Sequence, residues 1–323
     1  MERHRLTHEE ADPGVAAAIL AAASGAARYA PSIHNTQPWR WRAAGPVIEL
    51  GAAPDRQLSA GDPSGRMLTV SCGASLAYAV AAVAAQGWRP IVARPMTSEV
   101  LATVAVGEAV ADHAEASALF RTFMERRTDR RPLREPAPTT GQIDAIQAAA
   151  ERRGAHILPL CSDQVVRLGM LADAARQWEG ADVARCREIE EWVAVGDDAS
   201  GVPRSTIPTP GGHYAVPPRF GGGQLPTEDS GGDAAAAYLV LVTDRDDRPA
   251  WLRGGEALVH AWAAAITAGL AVMPLSSVVE VAQTRLALYR MLLDVGHPLL
   301  ILRVGHPEPS AVPPSTSRLS ARP

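Results

Sequence analysis

Two stretches of this chain, residues 68–85 and 257–275, are alanine-rich and carry no charge over the length of a long helix. A helix apolar on all sides has to be covered on all sides, so the fold must bury both stretches against other elements. A bilayer could cover them too, but Gly73, Ser71 and Ser75 interrupt the first and His260 the second, and a spanning helix needs about 20 strongly apolar residues. The spacing therefore predicts two buried core helices. A chain of 323 residues is long enough for two cores, at roughly 100–200 residues per domain.

Composition narrows the chemistry. All 31 basic residues are arginine, since the sequence contains no lysine. A pyridoxal phosphate enzyme needs a Schiff-base lysine and a Walker A loop needs its lysine, so both are excluded. Any phosphate here must be held by guanidinium forks, hydroxyls and backbone N–H groups, which suits a terminal phosphomonoester. The net charge of −4 speaks against nucleic acid as a partner. The three cysteines, Cys72, Cys161 and Cys186, are far apart and odd in number, and are expected to be reduced, buried thiols with no zinc site among them. The opening MERHRLTHEEAD lacks the apolar core of a signal peptide, so a cytoplasmic location is expected, away from the membrane.

Hydrophobic period and breakers predict helices over 13–28, 65–86, 115–125, 140–153, 163–195 with a break near Gly180, 254–268 and 278–293. Predicted strands are a hairpin from Trp39 to Leu50, then 89–94, 101–106, 155–160, 238–243 and 299–304. The class is α+β in two halves, 1–112 and 113–323, each too small to cover both faces of its own sheet. Residues 201–232 are rich in Gly and Pro without a period. A loop this long inside a compact chain is expected to be a functional lid.

Polar side chains gather in two places. The loop PSIHNTQPW after the first helix carries Pro31, Ser32, His34, Asn35, Thr36 and Gln37, which can face a planar heterocycle or simply satisfy the turn's own backbone. The segment FMERRTDRRPL carries Arg126, Arg127, Thr128 and Arg130, which can converge on a phosphate or form a solvated surface paired with Glu125 and Asp129. A third stretch, Gly269 to Ser277, joins two predicted helices through an apolar turn containing Met273, Pro274, Leu275 and Ser276. It can lie against a flat ring or be an ordinary connection. There is no GxSxG elbow and no GxGxxG after a strand, Gly221 to Gly223 fall in the predicted lid, and the other histidines are scattered without a metal triad.

The segment ARYAPSIHNTQPWRW resembles the flavin-contacting loop of the nitroreductase superfamily, in the form typical of the Acg family of FMN-binding proteins. FMERRTDRRPL resembles that superfamily's arginine-rich phosphate motif, WLRGGEAL with GLAVMPLSSVVEV resembles the Acg C-terminal half, and PPSTSR resembles the basic C-terminal segment. The likeness spans about residues 20–318. It implies two fused nitroreductase-like halves in an internal pseudo-dimer, a monomer that mimics a dimer and holds one FMN at the joint. It assigns Arg126, Arg127, Thr128, Arg130 and Arg318 to the phosphate and ribityl end. Pro31, Ser32, His34 and Asn35 would face the isoalloxazine from the other half, with Met273, Pro274, Leu275 and Ser276 on the opposite side. The acidic-plus-glycine pair of classical nitroreductases is absent, and the tail has one Arg where two basic residues are commoner. No side chain is assigned as catalytic.

The activity so implied is electron transfer from NAD(P)H through FMN to a nitro, quinone or similar aromatic acceptor in ping-pong fashion. The other function implied is FMN sequestration, with His213, Tyr214, Arg219 and Phe220 of the 201–232 loop plugging the pocket.

Overall fold

The computed structural model of the protein describes residues 11–193, 199–209, 214–216, 219–220, 222–227, 235–309 and 312–320. Helix α1 (Pro13–Ala27) starts where Asp12 accepts a hydrogen bond from the Gly14 N–H at 2.8 Å and Pro13 supplies the first turn. Strands β1 (Trp39–Ala44) and β2 (Val47–Ala52) form a hairpin that turns at Gly45, whose φ of +60° a side chain would resist. After α2 (Arg66–Ala85), strands β3 (Trp88–Ala93) and β4 (Ala102–Ala109) complete an antiparallel sheet of order β1-β2-β4-β3.

The rest of the chain runs α3 (Ala114–Glu125), α4 (Thr140–Glu151), β5 (His156–Pro159), α5 (Ser162–Ala181), α6 (Val183–Val193), β6 (Ala237–Thr243), α7 (Arg248–Thr267), β7 (Ala271–Leu275), α8 (Ser277–Glu280), α9 (Ala282–Met291) and β8 (His297–Gly305). Its strands form a second antiparallel sheet of order β5-β6-β8-β7. Both sheets thus place their strands first, second, fourth, third in chain order.

The two long helices, α2 and α7, pack against each other between the sheets, and each serves both cores. The core around the first sheet takes Leu252, Val259 and Ala263 from α7, and the core around the second takes Met67 and Val70 from α2. Their backbones touch: a Cβ on Gly73 would sit 1.9 Å from the Leu252 carbonyl oxygen, and one on Gly255 1.9 Å from that of Val70. By length and composition α2 could cross a membrane, but 89% of its apolar window is buried inside the protein, where core packing accounts for its hydrophobicity.

Several sequence expectations need correction. The apolar stretch 257–275 is not one helix: α7 ends at Thr267, the chain turns at Gly269 with φ +77°, and 271–275 form β7. The connection expected there is therefore an edge strand paired to β8, where Pro274 opposite Leu302 is tolerated because an edge strand can spare a donor. Helix α7 starts six residues earlier than expected, capped by Asp247, and Gly254 and Gly255 are interior positions in close contact with other elements. The helix expected over 278–293 breaks at Val281 into α8 and α9. Of the three cysteines only Cys72 is buried, while Cys161 is exposed and Cys186 half-buried. The N-terminal residues 1–10, with His4 and His8, lie outside the described residues, as do His213 and Gly221.

Candidate functional site

A cavity of about 380 Å³ lies at the junction of the two sheets' territories, lined from the first by Tyr29, Pro31 to Asn35, Met67, Val70 and Ser71 and from the second by the arginine segment, Trp262, β7 and the tail. Its volume falls in the range of small-molecule sites. The thirteen residues that the resemblance assigns to the flavin line it: Pro31, Ser32, His34, Asn35, Arg126, Arg127, Thr128, Arg130, Met273, Pro274, Leu275, Ser276 and Arg318, whereas Thr36 and Gln37 of the same loop do not. They are drawn from positions 31 to 318 of the chain.

One end of the cavity is cationic. Helix α3 stops at Glu125, and the following segment is laid beside β7 by a hydrogen bond from the Asp129 N–H to the Val272 carbonyl at 3.2 Å. Asp129 pairs with Arg131 at 2.7 Å, both buried, and forms no ion pair with the arginines that face the cavity. Arg126 lies 4.6 Å over the Trp262 ring and donates to the Tyr78 hydroxyl, Arg127 caps the carbonyls that end α3, and Arg130 donates to Thr206. Arg318 reaches in from the C-terminal tail, and its Nε is buried without a hydrogen-bond partner. Among the described residues no carboxylate lies within ion-pair distance of these four.

Burial, with Arg126 adding to it against Asp129, pushes the Arg130 guanidinium down to about 10. Burial followed by Arg126 and Arg127 does the same to Arg318. Four guanidiniums that repel one another in a closed space are stabilised by an anion. Inorganic phosphate should therefore raise the melting temperature of the protein, and Arg130→Met should abolish most of that rise while leaving the phosphate-free melting temperature unchanged or higher. Scanning fluorimetry in phosphate and in a chloride solution of matched ionic strength measures this.

The loop before β1 has an unusual backbone. His34, Asn35 and Gln37 have φ of +45°, +55° and +51°, a left-handed region that side chains other than glycine rarely adopt. Hydrogen bonds hold it there: Ser71 Oγ accepts from the Ile33 N–H at 3.1 Å, and Ser32 Oγ accepts from the Gln37 N–H at 2.9 Å. Such strain collects where a structure holds side chains in a required geometry.

At His34 the cavity meets a buried charge network. Arg219 donates to Glu179 at 2.6 Å, to Glu280 at 2.8 Å and to Nε2 of His34 at 3.0 Å, and Phe220 sits edge-on to the imidazole with centroids 5.4 Å apart. Burial, then Arg219, lowers the His34 pKa to about 3, so the ring is neutral. Burial alone would raise Glu280, but Arg219, with His34 and a hydrogen bond from Ser276 adding to it, brings that carboxyl down to about 2, whereas burial keeps Glu179 above its usual range. Neither glutamate was expected at a site: each sits in a helical stretch where a charge reads as solvent-facing, and only the distant Arg219 explains its burial. Among the described residues no cluster of three metal-ligating side chains occurs.

No protein-family model matches the chain. A Mycobacterium tuberculosis protein carrying the provisional name NAD(P)H nitroreductase Rv3131 is 38% identical over 297 residues, covering 90% of this chain and 86% of its own. A second protein of that organism, provisionally named NAD(P)H nitroreductase acg, is 28% identical over 316 residues, covering 95% of each. A solved nitroreductase from Bacteroides fragilis with bound FMN is 13% identical and covers 62% of this chain and 95% of its own, with a TM-score of 0.41, too loose a likeness to argue from.

Proposed function

The chain belongs to the Acg family of the nitroreductase superfamily, and from that premise we propose that it holds one FMN in the cavity and acts as an NAD(P)H-dependent oxidoreductase. The observation that carries this reading is the cavity's polarity: Arg126, Arg127, Arg130 and Arg318 meet at one end without a carboxylate partner, beside walls that include Val70, Leu258, Trp262 and Met273. A phosphomonoester attached to a flat, mostly apolar ring matches both features, and the orphaned Arg318 Nε is a donor waiting for such an acceptor.

In this reading the phosphate and ribityl chain take the arginine end with Thr128, the loop residues Pro31, Ser32 and His34 and the stretch Met273–Ser276 at the end of β7 flank the ring, and the protein supplies orientation and electrostatics. Bound FMN would supply hydride or electron transfer between the nicotinamide and a nitro or quinone acceptor, each using the site in turn. The repeated strand order of the two sheets supports an internal duplication, with halves 1–112 and 113–323 playing the parts of two subunits.

A second reading, FMN sequestration, is favoured by Arg219 and Phe220, which line the cavity, Arg219 being fastened there by two buried carboxylates, in keeping with the lid expected over 201–232. The anaerobic visible spectrum separates the two. The oxidoreductase should carry about one flavin per chain that bleaches with NADH or NADPH. A flavin that resists excess nicotinamide yet bleaches with dithionite would assign storage, and a protein that takes up no FMN would overturn both.

A further inference from the structure

Asn35 lines the cavity, but its side-chain amide is occupied elsewhere. Nδ2 donates to the carbonyl of Gly201 at 3.1 Å and to that of Ser317 at 3.2 Å, and Oδ1 accepts from Nη1 of Arg318 at 3.1 Å. The backbone repeats the link, with the Gly201 N–H donating to the Asn35 carbonyl at 3.4 Å. Gln37 makes a parallel pair, donating to the Ala199 carbonyl at 2.8 Å and accepting from the Leu319 N–H at 3.0 Å. Two side chains of one strained loop therefore bind the same two remote pieces of chain, the stretch 199–201 and the tail 317–319.

We propose that Asn35 is a positioning residue for the anion end of the cavity, fixing the C-terminal tail so that Arg318 enters the arginine cluster, and that it makes no contact with the ring. The physical need is clear. Arg318 is half-buried near Arg126 and Arg127, which repel it, so its entry has to be held by neutral acceptors: the Asn35 Oδ1 and the carbonyls of Tyr29, Thr316 and Ser317. Asn35 works in both directions at once, accepting from the guanidinium and donating to the carbonyl of the preceding residue. An amide does this and a carboxylate does not, since an aspartate has no donor for Ser317 or Gly201.

The inference rests on the FMN reading above and is tested by a double-mutant cycle on Asn35→Leu and Arg318→Met. Binding of FMN is followed by quenching of flavin fluorescence, and cleavage of the tail by a carboxypeptidase is timed in the same samples. Each single change should weaken FMN by about thirtyfold, the loss expected for hydrogen bonds to a charged group. The double variant should lose little more than either single one. Flavin bound to Asn35→Leu should keep the wild-type visible band and reduction potential, and its tail should be trimmed faster.

Losses that multiply toward a thousandfold, or a shifted flavin band with an equally protected tail, would overturn the proposal and return Asn35 to the ring. Where Asn35→Leu does not fold, Asn35→Gly serves, since glycine adopts the φ of +55° freely and the amide is removed; slower or equal tail cleavage in that variant overturns the claim. If wild-type protein takes up no FMN, the function reading falls while the tail cleavage still decides the role of Asn35.

Discussion

Gly73→Ala and Gly255→Ala should each destabilise the protein by about 3 kcal/mol, at the upper end of what overpacking costs. Helix propensity predicts the opposite sign, because alanine in a helix interior is better than glycine by about 1 kcal/mol. The geometry decides. At both positions the new methyl would meet a backbone carbonyl oxygen at 1.9 Å, and neither carbonyl can move without shifting its own helix. The neighbouring Gly254 is an internal control: its Cβ would meet the Leu299 Cδ1 at 2.1 Å, the far end of a side chain that can rotate. Gly254→Ala should therefore cost about 1 kcal/mol. Urea unfolding midpoints for the three variants test the ranking; equal losses would mean that the helices separate freely. Because Met67, Val70, Leu258 and Trp262 line the cavity from these same two helices, the two severe variants should also weaken ligand binding.

Local pattern carried much of the fold. The buried α2 was legible from its uncharged, alanine-rich run, the hairpin β1–β2 from its alternating, β-prone residues, and α4 from its helical spacing. What failed was local ambiguity with a tertiary answer. AVMPL is too short to declare a period, and its proline argues for a turn unless one knows that it occupies a sheet edge. The glycines in α7 look like a boundary until α2 is placed against them.

The candidate site divides in the same way. Guanidiniums clustered at 126–130 are visible as a cluster, and the structure keeps them from the partners a surface would offer by pairing Asp129 with Arg131. Which of the loop's polar groups face outward is not visible, because the partners of Asn35 lie 166 and 282 residues away. Nor does anything near Glu179 or Glu280 foreshadow their burial, since the counter-ion comes from a segment without a period.

That counter-ion supports the remaining expectation. Arg219→Met should cost about 3–5 kcal/mol at pH 7, the effect of removing one partner from a buried ion pair, since Glu179 and Glu280 would remain buried without the cation that pairs with both. The deficit should depend on pH, with a determinate sign. In the wild type, Glu280 is held at about 2, below its unfolded value, so its contribution is present above that unfolded value and lost as pH falls toward 2. In the variant both carboxyls rise above their unfolded value, so their burial is tolerated while protonated and becomes costly as pH rises. The gap between wild type and variant should thus be widest near pH 7 and shrink toward pH 4.5. Denaturant titrations at the two pH values measure it. A gap that is the same at both would mean that Arg219 contributes packing alone and that the two carboxylates are already protonated in the native protein.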